Sequence, residues 1–274
     1  MIKGKMEATI ESRPKPRSAF LPARPSKLKE LDIPQSLVED LILRYLLTKA
    51  SSCIYELSKA LKLSFPLLHE LFQQLRQKQV FEVTGMRGND YLFTLSGIGR
   101  GIAEKRFAIS HYIGPAPVSM KSYNDAVRSQ VVELDVNRKL LKETLSDLVV
   151  TDEFLDQLGP ALISQKPIFL YGPTGNGKSS VVSRLLGVYQ DPVLLPYAVE
   201  IDGQVIVLYD SGVHEKIDTD DTDIDQRWVM CRRPCIIAGG ELEPNMLELQ
   251  QEESSKVYAA PLQMKANNGM FVID

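Results

Sequence analysis

Apolar residues recur at helical spacing through much of the first half of the chain. Leu37, Leu41, Leu43, Leu46 and Leu47 follow Pro34 in this way, which predicts a helix. Ser51 or Ser52 can cap a second helix carrying Ile54, Leu57, Leu61 and Leu63, because a short side-chain oxygen satisfies a free amide at a helix start. After a break at Ser64-Phe65-Pro66, the residues Leu67, Leu68, Leu71, Phe72 and Leu75 form the stripe of a third helix with Pro66 in its first turn. Residues 80–83 and 91–95 read as strands, and the turn-forming run Gly-Met-Arg-Gly-Asn-Asp at 85–90 joins them. A further helix is predicted from near Ser96 to Phe107.

That order, three helices, a hairpin and a helix, predicts a small winged helix-turn-helix domain over residues 34–110. Residues 1–33 are rich in Lys, Arg and Pro, and Arg13-Pro14-Lys15-Pro16-Arg17 cannot propagate a helix. They read as a mobile basic tail. Residues 111–150 read as linker and leading helix: Gly114-Pro115-Ala116-Pro117 marks an extended connector over 111–130, and 140–148 is helical. A second helix at 154–163 opens the second domain, 151–274. There Pro167 precedes a short apolar run at 168–171, a buried-strand candidate, and 181–188 is helical. Residues 197–201 and 205–209 flank Asp202-Gly203, a strong hairpin signal. The acidic stretch 218–225 reads as a solvated loop, and Val229 and 235–238 as strand.

Composition changes this picture little. The 274 residues suit two domains, and 44% hydrophobic with 24% charged content is that of an ordinary globular chain. A net charge of −3 gives no global reason to expect nucleic acid or an anionic membrane. Three cysteines, Cys53, Cys231 and Cys235, are too few for a disulfide framework and fit a reducing compartment. No apolar run approaches the roughly 18–20 residues that span a bilayer. The N-terminus lacks the apolar core of a signal peptide, so the expected location is the cytoplasm with no membrane partner.

The chemistry concentrates in Gly172-Pro173-Thr174-Gly175-Asn176-Gly177-Lys178-Ser179, which satisfies G-x-x-x-x-G-K-[ST] between an apolar run and a helix. Glycines let backbone amides turn inward and approach phosphates without a Cβ clash. The helix N-terminus adds the positive end of its dipole. Lys178 can reach the β- and γ-phosphates, the Ser179 hydroxyl can ligate Mg2+, and Ser180 can contact the α-phosphate region. The expected ligand is ATP with Mg2+. A second element is Met270-Phe271-Val272-Ile273-Asp274, four apolar residues and an acid after the turn Asn267-Asn268-Gly269. It reads as a Walker B strand whose Asp274 serves the metal side. In P-loop ATPases that polarise water with an acid, a second carboxylate directly follows this Asp. Residues 151–274 are therefore expected to be the N-terminal part of an ATPase core, an incomplete parallel sheet flanked by helices, with sensor, arginine finger and lid further on.

The run Phe169 to Ser179 and the stretch Ala266 to Asp274 resemble the AAA+ ATPase superfamily of P-loop NTPases. Asp156-Gln157-Leu158-Gly159-Pro160-Ala161 is similar to uncharacterised bacterial members with an N-terminal winged helix. The resemblance implies an ATP-hydrolysing, homo-oligomeric ring that remodels a protein partner, with Lys178 and Asp274 as its catalytic residues. Two departures stand out. Lys178 and Asp274 lie 96 positions apart, longer than the usual AAA+ spacing, and the hairpin around Asp202-Gly203 with the acidic loop accounts for the excess. The ending is also similar to that of enhancer-binding transcription activators, but their GAFTGA loop is absent from 258–265. The alternative is an ATP-regulated DNA-binding transcriptional regulator, reading DNA through residues 52–95. Helix residues His69, Gln73, Arg76 and Lys78 would face the groove, Arg87 at the hairpin tip would meet phosphate, and Glu70 opposes both. Cys231 and Cys235 read as thiols rather than zinc ligands, His214 is isolated, and Arg232 and Arg233 receive no nucleotide-sensing role.

Overall fold

The computed structural model describes residues 20–131, 136–189, 191–218 and 223–274. Its first part contains α1 (Gln35–Leu47), α2 (Ile54–Leu61), α3 (Phe65–Gln77), β1 (Phe81–Arg87), β2 (Asp90–Leu95) and α4 (Gly97–Ile109). The leucine stripes read from the sequence all turn inward: Leu41, Leu57, Leu61, Leu67, Leu71 and Phe72 are almost wholly buried together. Lys62 takes a left-handed conformation to end α2, and Ser96 caps α4 by accepting from the Gly99 amide at 3.0 Å. β1 and β2 form an antiparallel hairpin with an irregularity between Val83 and Gly85.

The core of this helical part does not stop at residue 110. Tyr112, Ala116, Ala198 and Val205 belong to the same apolar cluster. It packs on a five-stranded mixed sheet ordered β3-β5-β6-β10-β9, made of β3 (Val118–Ser119), β5 (Ala198–Ile201), β6 (Gln204–Val207), β9 (Gln250–Glu252) and β10 (Val257–Ala259). Asp202 and Gly203, at φ 50° and 79°, make the expected turn between β5 and β6. A two-stranded pair, β4 (Val193–Pro196) with β7 (Trp228–Cys231), lies beside it. The remaining helices are α5 (Met120–Ser129), α6 (Arg138–Thr144), α7 (Asp152–Ile163), α8 (Lys178–Leu185) and α9 (Leu262–Lys265). Finally, β8 (Cys235–Ala238) pairs in parallel with β11 (Met270–Ile273).

Several expectations are corrected. The architecture is mixed α/β, but among the described residues of the second half the strands fall into a mixed sheet, an antiparallel pair and the parallel β8–β11 pair rather than one parallel sheet. The connector at 111–130 contains β3 and α5, whose start Ser119 caps by accepting from the Ser122 amide. The supposed mobile tail is structured from residue 20. Phe20 packs edge-on against Trp228 at 5.0 Å, and Ala23 bridges to Ile224. The basic run Arg13 to Arg17 lies outside the described residues. The acidic loop is not solvated throughout: Asp225 is buried and forms a forked ion pair with buried Arg227, which also reaches Asp32 at 2.8 Å and the Pro117 carbonyl at 2.9 Å. Burial alone would raise the Asp32 carboxyl, but Arg227 and hydrogen bonds from Ser122 and Ser119 hold it down to about 2. No helix of the described residues is long and apolar enough to cross a membrane.

Candidate phosphate-binding site

The loop between residues 171 and 178 has the backbone its glycines permit. Gly172, Gly175 and Gly177 sit at φ 149°, 85° and 72°, where a Cβ is strained, so the chain can curl with its peptide groups exposed. Gly177 is the residue from which α8 departs. The opening amides of a helix have no intrahelical acceptors, so α8 presents donors and a positive dipole end to the concavity. Ser180 and Pro173, Thr174 and Asn176 complete the loop and the first turn. Lys178 leans back over the loop, its Nζ donating to the Gly172 and Pro173 carbonyls at 3.0 Å each. The ammonium therefore waits at the mouth on weak neutral acceptors that an anion can displace.

Asp274, 95 residues after Ser179, arrives at the same place. Its Oδ2 accepts from the Ser179 hydroxyl at 2.5 Å. Its amide donates to the Ala238 carbonyl at 2.9 Å, extending the β8–β11 pairing one residue past the strand. A hydroxyl and a carboxylate oxygen side by side are the hard donors that a small divalent cation takes from protein when phosphate and water supply the rest. Among the described residues there is no cluster of three or more His, Cys, Asp or Glu that could hold a metal by itself. α8 is braced from behind by Arg184, which grips Asp147 at 2.8 Å and holds that carboxyl below its ordinary range.

The run 168–171 is a correction. It forms no strand, and Phe169 and Tyr171 are 88% and 87% exposed. A strand needs neighbours to satisfy its ladder, and among the described residues no strand pairs with this run. Between this run and β11 lies an apolar groove of about 610 Å3, closed at one end by Lys178, Ser179 and Asp274.

The other singled-out residues are elsewhere. His69 and Arg76 lie on the exposed face of α3 with Glu70, Lys78 is exposed just past its end, and Gln73 is half-buried beside His69. Arg87 at the hairpin tip is engaged by Glu56 at 2.7 Å. His214 is buried and shared between the Asp210 amide and the Lys265 carbonyl, at 3.0 and 2.9 Å. Cys231 is buried and Cys235 half-buried, and burial pushes both thiols up, Cys231 to about 12. Sequence reasoning singled out Arg233 without a role and missed its buried ion pair with Asp191 beside the turn that leads to Asp274; their separation in sequence left no local signal. No protein-family model matches the chain, and comparison with curated proteins finds no match.

Proposed function

We propose that the chain binds ATP with Mg2+ through Gly172 to Ser180 and Asp274, as part of an AAA+ type ATPase. The observation that carries this reading is the meeting of Ser179 and Asp274 at 2.5 Å, beside a loop of positive-φ glycines at a helix N-terminus. Each group has a defined task. Lys178 exchanges its two carbonyl acceptors for the β- and γ-phosphate oxygens, a charge-assisted and stronger partner. The loop amides and α8 neutralise the remaining negative charge without reorganising. Ser179 and Asp274 would hold a magnesium ion, which would supply positive charge against the phosphates. The reaction this reading implies is in-line attack of water on the γ-phosphorus, releasing ADP and phosphate, with the water positioned by an acid outside residues 1–274; without that acid the chain binds nucleotide with no turnover.

The test is equilibrium titration with a fluorescent ATP analogue. Lys178→Ala abolishes binding, and an unchanged affinity in that variant sinks the assignment. A homo-oligomeric ring acting on a protein partner is the extension of this reading, with the helical part, which packs on the sheet, as a winged-helix adaptor. Arg87 being tied to Glu56 and Glu70 sharing the exposed face of α3 favour a protein over DNA. DNA retention that weakens steeply with salt, and changes with ATP, would instead support the ATP-regulated DNA-binding reading.

A further inference from the structure

The corner that feeds Asp274 is tied through Asn267 to the Tyr123 hydroxyl and through Asn268 to the Val127 carbonyl, at 2.6 and 2.8 Å, and it is gripped by a buried guanidinium. Arg233 donates through Nε and Nη2 to Asp191 Oδ1 and Oδ2 at 3.1 and 2.7 Å, and through Nη2 to the Gln130 carbonyl at 3.0 Å. Its Nη1 donates to the Asn268 carbonyl at 2.6 Å. The ring of Tyr189 lies 5.8 Å from the guanidinium carbon. A planar fork of fixed donors positions acceptors in a way a lysine ammonium does not. Asn268 is the left-handed residue, φ 59°, at the bend between α9 and β11. The next residue of the clamp is Pro234, whose carbonyl accepts from the Met270 amide at 2.8 Å. Residues 233 and 234 thus hold the bend at two points, by side chain on 268 and by backbone on 270. From there β11 runs in register with β8 to Asp274. A paired strand transmits displacement along its length, because its ladder fixes each residue against its neighbour.

We propose that Arg233, held by Asp191, is a positioning residue that sets the register and depth of β11 and so delivers Asp274 to Ser179. The functional half rests on the Mg-ATP reading; the geometric half does not. The clamp acts through the bend and does not touch the phosphate loop, so its loss separates two properties that a general weakening of the fold would lower together.

The experiment compares wild type with Arg233→Lys, Asp191→Asn, Asp274→Asn and the double variant Arg233→Lys/Asp274→Asn. Hydrogen–deuterium exchange without nucleotide reads residues 268–274 against α8. Titration with a fluorescent ATP analogue, in EDTA and then in Mg2+, reads the loop and the metal side separately. In Arg233→Lys, exchange over 268–274 accelerates while α8 stays as in wild type. The metal-free affinity holds, but the gain on adding Mg2+ falls roughly tenfold or more, the scale on which partners that orient metal ligands act. Asp274→Asn loses the same gain, and the double variant loses nothing further, the non-additivity of residues acting through one another. A folded Arg233→Lys with unchanged exchange over 268–274, or additive losses in the double variant, overturns the proposal. If Arg233→Lys does not fold, Asp191→Asn is judged by the same two readouts. A wild type with no affinity for the ATP analogue overturns the nucleotide reading instead, and exchange alone then decides the clamp.

Discussion

Replacing Gly269 by alanine tests how tightly the bend before β11 is built. A Cβ placed on Gly269 would stand 2.0 Å from the Pro234 carbonyl oxygen and 2.8 Å from that proline's ring carbons. Ordinary contact begins near 3.4 Å, so the two segments must part by about 1.4 Å. Neither side is a flexible side-chain end; one is backbone and the other a closed ring. The same oxygen accepts the Met270 amide, so parting the segments also breaks that bond. Overpacking of this kind costs about 1–3 kcal/mol, and a lost backbone hydrogen bond about 1 kcal/mol. The sum, about 2–4 kcal/mol, lowers the melting temperature by about 5–15 °C for a chain of this size. Thermal unfolding by circular dichroism reads the first effect. ATP titration with and without Mg2+ reads the second, since Asp274 sits at the far end of the displaced strand. Gly240→Ala is the control, because a Cβ there meets nothing within 4 Å. A Gly269→Ala protein that melts with the control and keeps its Mg2+ dependence would refute the reasoning.

Other expected outcomes follow from the same geometry. Arg227→Leu strands the buried carboxylate of Asp225 and costs about 3–5 kcal/mol, measured by urea unfolding, with Arg227→Leu/Asp225→Leu recovering part of the loss. Asp32, held at about 2 against an ordinary 3.8, contributes stability that is present above pH 4 and is lost as pH falls towards 2. This amounts to about 2 kcal/mol in full, and Asp32→Asn removes that segment of the acid unfolding curve. Burial holds the His214 imidazole below its ordinary value despite the Lys265 carbonyl against its Nε2 and the charge of the nearby Asp210 carboxylate. Stability therefore begins to fall as pH drops below about 6.5, and His214→Gln flattens that part of the profile.

The parts of this protein legible in the sequence are those whose physics is local. The leucine stripes of α1 to α3, the Asp202-Gly203 turn and the start of α4 at Ser96 each depend on a few neighbouring residues; the cap expected at Ser51 or Ser52 falls instead on Cys53, with no side-chain cap bond. The phosphate loop belongs with them, because glycine spacing decides its backbone before anything packs against it. Asp274 was legible as an acid ending an apolar run, and the fold alone brought it to the Ser179 hydroxyl. What the sequence did not reveal depends on partners far along the chain. Arg227 meets Asp32 across 195 residues, and Arg233 meets Asp191 and Asn268 on segments that only the tertiary structure brings together. The run 168–171 has the pattern of a buried strand, yet a strand exists only where a neighbour accepts its hydrogen bonds. Local chemistry determined the glycine loop and marked Asp274 as an acid ending an apolar run; the assembly of distant segments decided that this acid meets the Ser179 hydroxyl and which buried pair lies behind it.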